Sequence, residues 1–371
     1  MIKTRTDLED FVRGSTLYGT GGGGPQEVGK RLLNGSFEEG KAITWVDIET
    51  LDDDDWICTT FYMGSIAPLT EADRDAMKAL GLEEKSEPRP LVRAVRELER
   101  ELGITFAAII PVELGGINSP APVDAAAQLG IHVVDGDLAG RAVPEVAQTT
   151  PRLGGLPITP MTSADAWGNV AVLRETHGYD AAEAIGKMLS IPAYEPIGLA
   201  CFAAKVKDMK PWVVRGTMTR NLNTGRAVRE AREKGEDPAD AFARTAEGAV
   251  AFRGTVTVKN WESKGGYMYV DLVVAGSGTF AGQELKIWAK NENHLTWLNG
   301  EEFVMSPDLI QCVYASDGDP ITNSDIKEGD DVAVVVIANP LYRTPEGIAL
   351  LGPAHYGFED VIYRPVEEVL G

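Results

Sequence analysis

The apolar and polar positions follow two different patterns along the chain. Up to about residue 165, apolar runs of strand length alternate with segments of helical period. Thr6-Asp7-Leu8-Glu9 has the spacing of a capping box and predicts a short helix to about Gly14. A glycine run ending at Pro25 leads into a predicted helix over Glu27 to Leu33. Ala42 to Ile48 and Trp56 to Tyr62 read as strands, and Thr70 with Asp73 opens a further helix. Pro90 to Leu102 is helical, with mixed charges on its outer face. Ile104 to Pro111 is a nearly continuous apolar run, as in a strand buried on both faces. A helix over Pro122 to Leu129 and a strand over Ile131 to Val134 complete an alternation typical of a layered α/β domain.

After Trp167 the pattern changes. Lys187 to Leu189 and Ala200 to Lys205 are ambiguous, and an alanine-rich, charge-alternating stretch predicts one long helix at about 224–247. Strands then dominate: Thr255 to Lys259, Tyr267 to Val274, Glu284 to Ala289, Leu309 to Tyr314 and Val332 to Ile337. Turn residues such as Lys264-Gly265-Gly266 and Asp317-Gly318-Asp319-Pro320 separate them. The expected architecture is α/β plus β: an N-terminal three-layer α/β domain over 1–166 and a C-terminal β-barrel-like domain over 167–371, into which the long helix is inserted.

Composition narrows the function. The 56 acidic against 35 basic side chains give a net charge of −21, which argues against a nucleic-acid backbone or an anionic membrane as partner. A small acid held by a local arginine stays compatible with it. Cys58, Cys201 and Cys312 are scattered and form no CxxC, so a thiolate zinc knuckle or a disulfide framework is not expected. The first residues lack the apolar stretch of a signal peptide, and no apolar run reaches the roughly 18 residues of a membrane span. A cytoplasmic protein is expected.

Three glycine-punctuated segments carry the candidate chemistry. Gly19 to Gly24 satisfies G-x-G-x-x-G, but a helix and not a strand precedes it, and the P-loop echo ending at Gly29-Lys30 lacks its Ser/Thr. What remains is a set of amides from Gly21, Gly22, Gly23 and Gly24 that lead into a helix and suit negative charge, either a carboxylate or a developing oxyanion. The second segment follows a buried strand: Glu113-Leu114-Gly115-Gly116-Ile117-Asn118 places Glu113 and Asn118 where open α/β sheets bind ligands. The third places Asp135 and Asp137 close together, with Arg141 and Glu145 one helical turn apart. Such a group can activate water, hold a metal, or clamp a carboxylate through Arg141. Glu113, Asp135 and Asp137 are thus the candidate general bases. Asn118, Arg141, Glu145 and His294 join the glycine amides as candidate substrate contacts. The four histidines show no HxH or HExxH spacing, and no Gly-x-Ser-x-Gly elbow occurs. A divalent ion such as zinc would need ligands gathered from distant parts of the chain.

Taken in order, Gly19 to Pro25, Glu113 to Asn118, Asp135 to Glu145, Asn291-Glu292-Asn293, Ser306-Pro307-Asp308-Leu309-Ile310 and Gly352-Pro353-Ala354-His355-Tyr356-Gly357 resemble the S-methyl thiohydantoin desulfurase family. The sequence departs from that family's pattern at Gly136, where an Asp-Ala-Asp sequence is usual, and at Thr20-Gly21 before the glycine run. The resemblance implies the same two-domain fold. It also implies hydrolysis of an S-methylated thiohydantoin to a hydantoin and methanethiol. The family is often found beside hydantoinase and oxoprolinase proteins, so a hydantoinase-type partner or a homo-oligomer is an expectation too. So is the alternative role of a non-catalytic, small-molecule-binding subunit. The substrate expected on these grounds is a small heterocycle bearing a carboxylate.

Overall fold

A computed structural model describes residues 1–64 and 69–371. Two sheets organise the chain. The first has six strands in the order β3-β2-β1-β7-β5-β6. Here β1 is Trp56–Met63, β2 Phe106–Pro111, β3 His132–Val133, β5 Met161–Ala164, β6 Val170–Leu173 and β7 Ile197–Lys205. A two-stranded ribbon joins β4 (Gly136–Asp137) to β8 (Val214–Arg215). The second sheet is antiparallel, with seven strands in the order β13-β12-β11-β10-β9-β15-β14. Its members are β9 (Ala249–Lys264), β10 (Tyr267–Gly276), β11 (Glu284–Lys290), β12 (Glu292–Leu298), β13 (Glu301–Met305), β14 (Leu309–Tyr314) and β15 (Asp331–Ile337). It is an open half-barrel and not a closed barrel: β13 and β14 are its two edges. An α/β region followed by a β half-barrel is therefore the fold.

In the first sheet β1 runs parallel to β2 and antiparallel to β7, and β2 runs parallel to β3. Strand β7, on the far side of residue 167, is thus a central strand of the N-terminal sheet. The helix Pro90–Leu102 shows why the local pattern was decisive. Pro90 starts it, Gly103 ends it in the left-handed region at φ 66°, and Leu91, Ala94, Val95 and Leu98 recur on one buried face. That face packs with the helices Arg5–Leu17, Pro120–Leu129 and Thr217–Lys234 in one core, which continues to Leu309, Val313 and Val335 of the half-barrel. A second core lies around Ile57, Ile110, Leu199 and Phe202 and includes Ala182 of the helix Tyr179–Ser190. A third fills the half-barrel around Phe252, Leu272, Ile287 and Val334.

Several elements differ from the sequence reading. The first helix is Arg5–Leu17; its capping box is Thr4 with Asp7, because the Asp7 carboxylate accepts from the Thr4 backbone while the Thr4 hydroxyl accepts from Asp7. Residues 42–48 form no strand; Ile43 and Val46 make only single bridges, to Ile2 and Val134. The expected helix at 224–247 is two helices, Thr217–Lys234 and Pro238–Thr245. Gly235 stops the first at φ 70°, and the Asp237 carboxylate with Pro238 at the first turn starts the second. The polar run after Lys290 enters strand β12. Among the described residues, no helix is long and apolar enough to cross a membrane.

Helices Arg5–Leu17 and Thr217–Lys234 cross with their backbones in contact. A Cβ on Gly14 would overlap the Asn221 carbonyl, and one on Gly225 would overlap the Asp10 carbonyl. Gly225→Ala is therefore expected to lower unfolding free energy by about 3 kcal/mol, the upper end of overpacking costs. Gly35, half-buried in the helix Gln26–Glu38, has no atom within 4 Å of the place a methyl group would occupy. Gly35→Ala should raise stability by about 0.5–1 kcal/mol through backbone entropy. Urea unfolding of both variants checks the pair.

Candidate functional site

The loops after β2 and β3 meet the glycine run and strand β12 at the junction of the two sheets. The approach is backbone to backbone. A side chain on Gly19 or Gly23 would collide with Gly115, one on Gly116 with the Gly24 carbonyl, and one on Gly22 with the Glu292 carboxyl. Gly21, at φ 92°, is tied in register: its N–H donates to the Ile321 carbonyl (3.1 Å), and its own carbonyl accepts from Asn323 N–H (2.8 Å). Gly23 N–H donates to the Gly19 carbonyl (2.9 Å). The expected four-amide cradle is thus reduced: the Gly21 and Gly23 amides are used within the chain, which leaves those of Gly22 and Gly24.

Glu113 is buried, and both its oxygens accept hydrogen bonds, Oε1 from Asn118 Nδ2 (2.8 Å) and Oε2 from Val143 N–H (2.7 Å). Asn118 also spans the Tyr62 backbone: its Oδ1 accepts from Tyr62 N–H and its Nδ2 donates to the Tyr62 carbonyl. The Glu113 loop is thereby fastened to the end of β1. Facing this carboxyl from the half-barrel is Glu292, 3% exposed, whose Oε2 has no hydrogen-bond partner. Burial raises the pKa of both groups. Each charge opposes ionisation of the other, and Arg141 and Lys187 only partly offset this at Glu292. At neutral pH the pair therefore retains a proton. The hydrogen bonds to both Glu113 oxygens favour its anion, so the proton belongs mainly on Glu292.

Asp137 also belongs to the cluster. It is fully buried, its Oδ1 accepts from the Ala139 and Gly140 amides, and its Oδ2 is unpartnered. Burial pushes its pKa up to about 6, against the pull of those amides, and its negative charge raises the pKa of Glu113 in turn. Asp135 does not join the cluster. Its carboxylate accepts from the backbone N–H and hydroxyl of Thr219 and so holds the start of the helix Thr217–Lys234. Asp135 and Asp137 have only Gly136 between them, yet the bend into β4 sends them to different surroundings.

Arg141 lies at the centre, but its guanidinium is spent on the chain. It donates to Ser306 Oγ (2.8 Å) and the carbonyls of Pro307 (2.9 Å) and Ala142 (3.0 Å), with longer contacts to the Asp308 and Asn293 carbonyls. The structure thus gives it the task of joining the β3 loop to the half-barrel, where the sequence suggested a clamp for a substrate carboxylate. Glu145 is likewise engaged. It pairs with Lys290 and lies 3.5 Å from His355 Nε2; despite burial these contacts bring its pKa down to about 2. The Lys187 and Lys290 ammonium groups lie over the Tyr267 ring at 4.6 and 4.2 Å, and the Tyr267 hydroxyl donates to Glu183. His294 is fully buried, and Tyr356 stacks on it with 4.0 Å between ring centroids.

The cluster therefore unites Glu113, Asn118, Asp137, Arg141, Glu145 and His294 with the edge of the glycine loop. Sequence reasoning gave no role to Glu292, Lys187 or Tyr356. Within Asn291-Glu292-Asn293 the only local signal was the pair of asparagines. Asn291 indeed takes φ 58°, the left-handed conformation asparagine tolerates, and turns the chain from β11 into β12. Among the described residues, no group of three or more His, Cys, Asp or Glu is arranged to hold a metal ion.

Comparisons with known proteins agree with this organisation. The description "S-Me-THD-like, N-terminal domain" matches residues 6–175, and "S-Me-THD-like, C-terminal domain" matches residues 177–366. No curated protein matches the chain. Among solved structures, the X-ray structure of a protein from Chromobacterium violaceum is 22% identical, covers 98% of this chain and 99% of that one, and superposes with a TM-score of 0.75, which shows a shared fold. With both halves matched in order, the chain belongs to the S-Me-THD-like family.

Proposed function

We propose that the protein hydrolyses a small five-membered nitrogen heterocycle of the S-methyl thiohydantoin class. One observation carries this reading: Glu113 and Glu292, from opposite sheets, are both buried, Glu292 with an unpartnered oxygen, and burial raises the pKa of each so that the pair favours sharing a proton. A carboxylate beside a carboxylic acid is the equipment for adding water across a C=N bond. The family's name supplies the substrate class.

Glu113, with two hydrogen bonds holding it anionic, takes a proton from water as the oxygen adds to the ring carbon bearing the S-methyl group. Glu292 gives its proton to the ring nitrogen of the same C=N bond. The tetrahedral adduct then collapses: the carbon–sulfur bond breaks, the new hydroxyl returns its proton to Glu292, and the departing sulfur takes the proton held by Glu113. The products are the hydantoin and methanethiol, and both carboxyls are restored. Burial of the pair supports the reading further, because each proton transfer acts at full strength where water is scarce. Gly22 borders Glu292, and its amide and that of Gly24 suit the negative charge that develops on the adduct. A carboxylate on the substrate, expected from sequence, would find its positive partner in Lys187 more readily than in Arg141, whose donors are occupied.

Glu113→Gln and Glu292→Gln should each lower kcat for an S-methyl thiohydantoin by about 10²–10⁴-fold, the usual contribution of a general acid or base. Unchanged turnover in both variants overturns the proposal. The rate should be bell-shaped in pH. On the acid side Glu113 becomes protonated, on the alkaline side Glu292 loses its proton, and both limbs lie above the ordinary carboxylate range because both pKa values are raised. Asp137→Asn removes a negative charge that raises the Glu113 pKa, so its acid limb should move to lower pH while the alkaline limb moves less; kcat/KM measured against pH reads this directly. Gly22→Ala, which crowds Glu292, should abolish turnover while the protein still melts cooperatively.

A further inference from the structure

His294 is poorly explained by the proton transfers just described, and its environment is unusual. It is the extra residue of a β-bulge: Trp288 pairs with Leu295 and Ala289 with Asn293, which leaves His294 unopposed on β12. Bulges turn a side chain away from the direction the ladder would give it. Here the imidazole ends fully buried, with neither ring nitrogen in a hydrogen bond. Leaving a buried polar group unsatisfied is destabilising, and a fold maintains such a cost where a ligand offsets it. Burial and the nearby Arg141 charge push the His294 pKa well below its ordinary value, so the ring is neutral. The Lys290 backbone acts the other way without overcoming burial. A neutral imidazole has one N–H and one bare nitrogen. Whichever nitrogen carries the N–H, the other is left as a free acceptor.

The plane of that imidazole is set from one side. The Tyr356 ring stacks on it with an interplanar angle of 27°, and the Tyr356 hydroxyl accepts from Gln148 Nε2 (3.1 Å). Tyr356 is carried by the turn Pro353–Tyr356, which ends at Gly357 in the left-handed region. Two positions before His294, Glu292 also carries an unpartnered buried oxygen. An acid and a hydrogen-bond acceptor thus follow each other along one strand beside an aromatic plate.

We infer that His294 is a substrate-binding residue whose bare nitrogen accepts the ring N–H of a hydantoin-type heterocycle, and that Tyr356 is the positioning residue that fixes the imidazole plane for it. The class of ligand rests on the proposed hydrolase reading; the acceptor role rests on the bulge, the stack and the unpartnered nitrogens. The ligand required is a planar ring with an unsubstituted N–H.

Calorimetric titration with hydantoin and with its two N-methyl derivatives tests this without turnover. The full-length protein should bind hydantoin about tenfold more tightly than one of the N-methyl compounds, the worth of one hydrogen bond. His294→Leu should weaken hydantoin binding about tenfold and remove that preference. Tyr356→Phe, which keeps the stack, should retain the wild-type affinity within about twofold, whereas Tyr356→Leu should behave like His294→Leu. A merely structural tyrosine would show no such split. If His294→Leu does not fold, His294→Asn must still lose the preference. An unchanged preference in the folded His294 variant, or no binding of any of these rings to the wild type, overturns the inference. Turnover of S-methyl thiohydantoin without dependence on His294 would remove this role alone and leave the hydrolase reading standing. Hydantoin binding with the expected His294 dependence but no turnover would do the reverse.

Discussion

The junction between the two sheets depends on backbone approaching backbone. Gly19 and Gly23 lie against Gly115, Gly24 against Gly116, and Gly22 against the carboxyl of Glu292. No side chain fits at these contacts, so the two loops and the half-barrel reach a separation that ordinary residues forbid. That closeness brings Glu292 of one sheet to the Glu113 loop of the other. Residues farther out hold the approach in place: Asn118 ties the Glu113 loop to β1, Arg141 ties the β3 loop to the segment from Ser306 to Asp308, and Asn323 holds the glycine run by its backbone.

The electrostatics follow from that packing. The molecule carries a net charge of −21, yet its buried junction is a balance of acids and bases. Glu145 has Lys290 and His355 and is held ionised. Burial raises the pKa of Glu113, Glu292 and Asp137, with too few cations nearby to offset it. Carboxyls are thus shifted in opposite directions by their surroundings, and the underpaired ones are the candidates for acid–base chemistry.

Much of the fold was legible because local rules and tertiary packing agreed. Pro90 and Gly103 bracket a helix whose apolar spacing fits one face, and the run before Pro111 is apolar on both sides because both faces of β2 are covered. The failures have physical reasons as well. Strand β12 is polar because its side chains line a buried site and not an apolar core. Ala42 to Ile48 alternates like a strand but finds only single bridging partners. The single-helix expectation at 224–247 overlooked what Gly235 and the Asp237-Pro238 pair do together. The candidate site was legible in part: glycine pairs and the acids beside them marked Glu113, Asn118 and Asp137. Spacing could not tell that Asp135 turns toward Thr219, or that the donors of Arg141 meet the chain. Nor could it bring Glu292, almost half the chain away, to face Glu113.

The bridge between Gly21 and Thr322 has a bearing on how the protein comes into being. It joins the beginning of the chain to a point well into its last strands, so the loop that must be closed is most of the molecule. Contacts of such long range form late, because the entropy of closing the loop is lost before the contact rewards it. During synthesis the N-terminal sheet itself waits for β7, and the carboxyl pair waits for β12. Through the first half of its translation the nascent chain therefore carries neither a completed N-terminal sheet nor an assembled carboxyl pair, and its glycine run stays without the strand and loop that shape it.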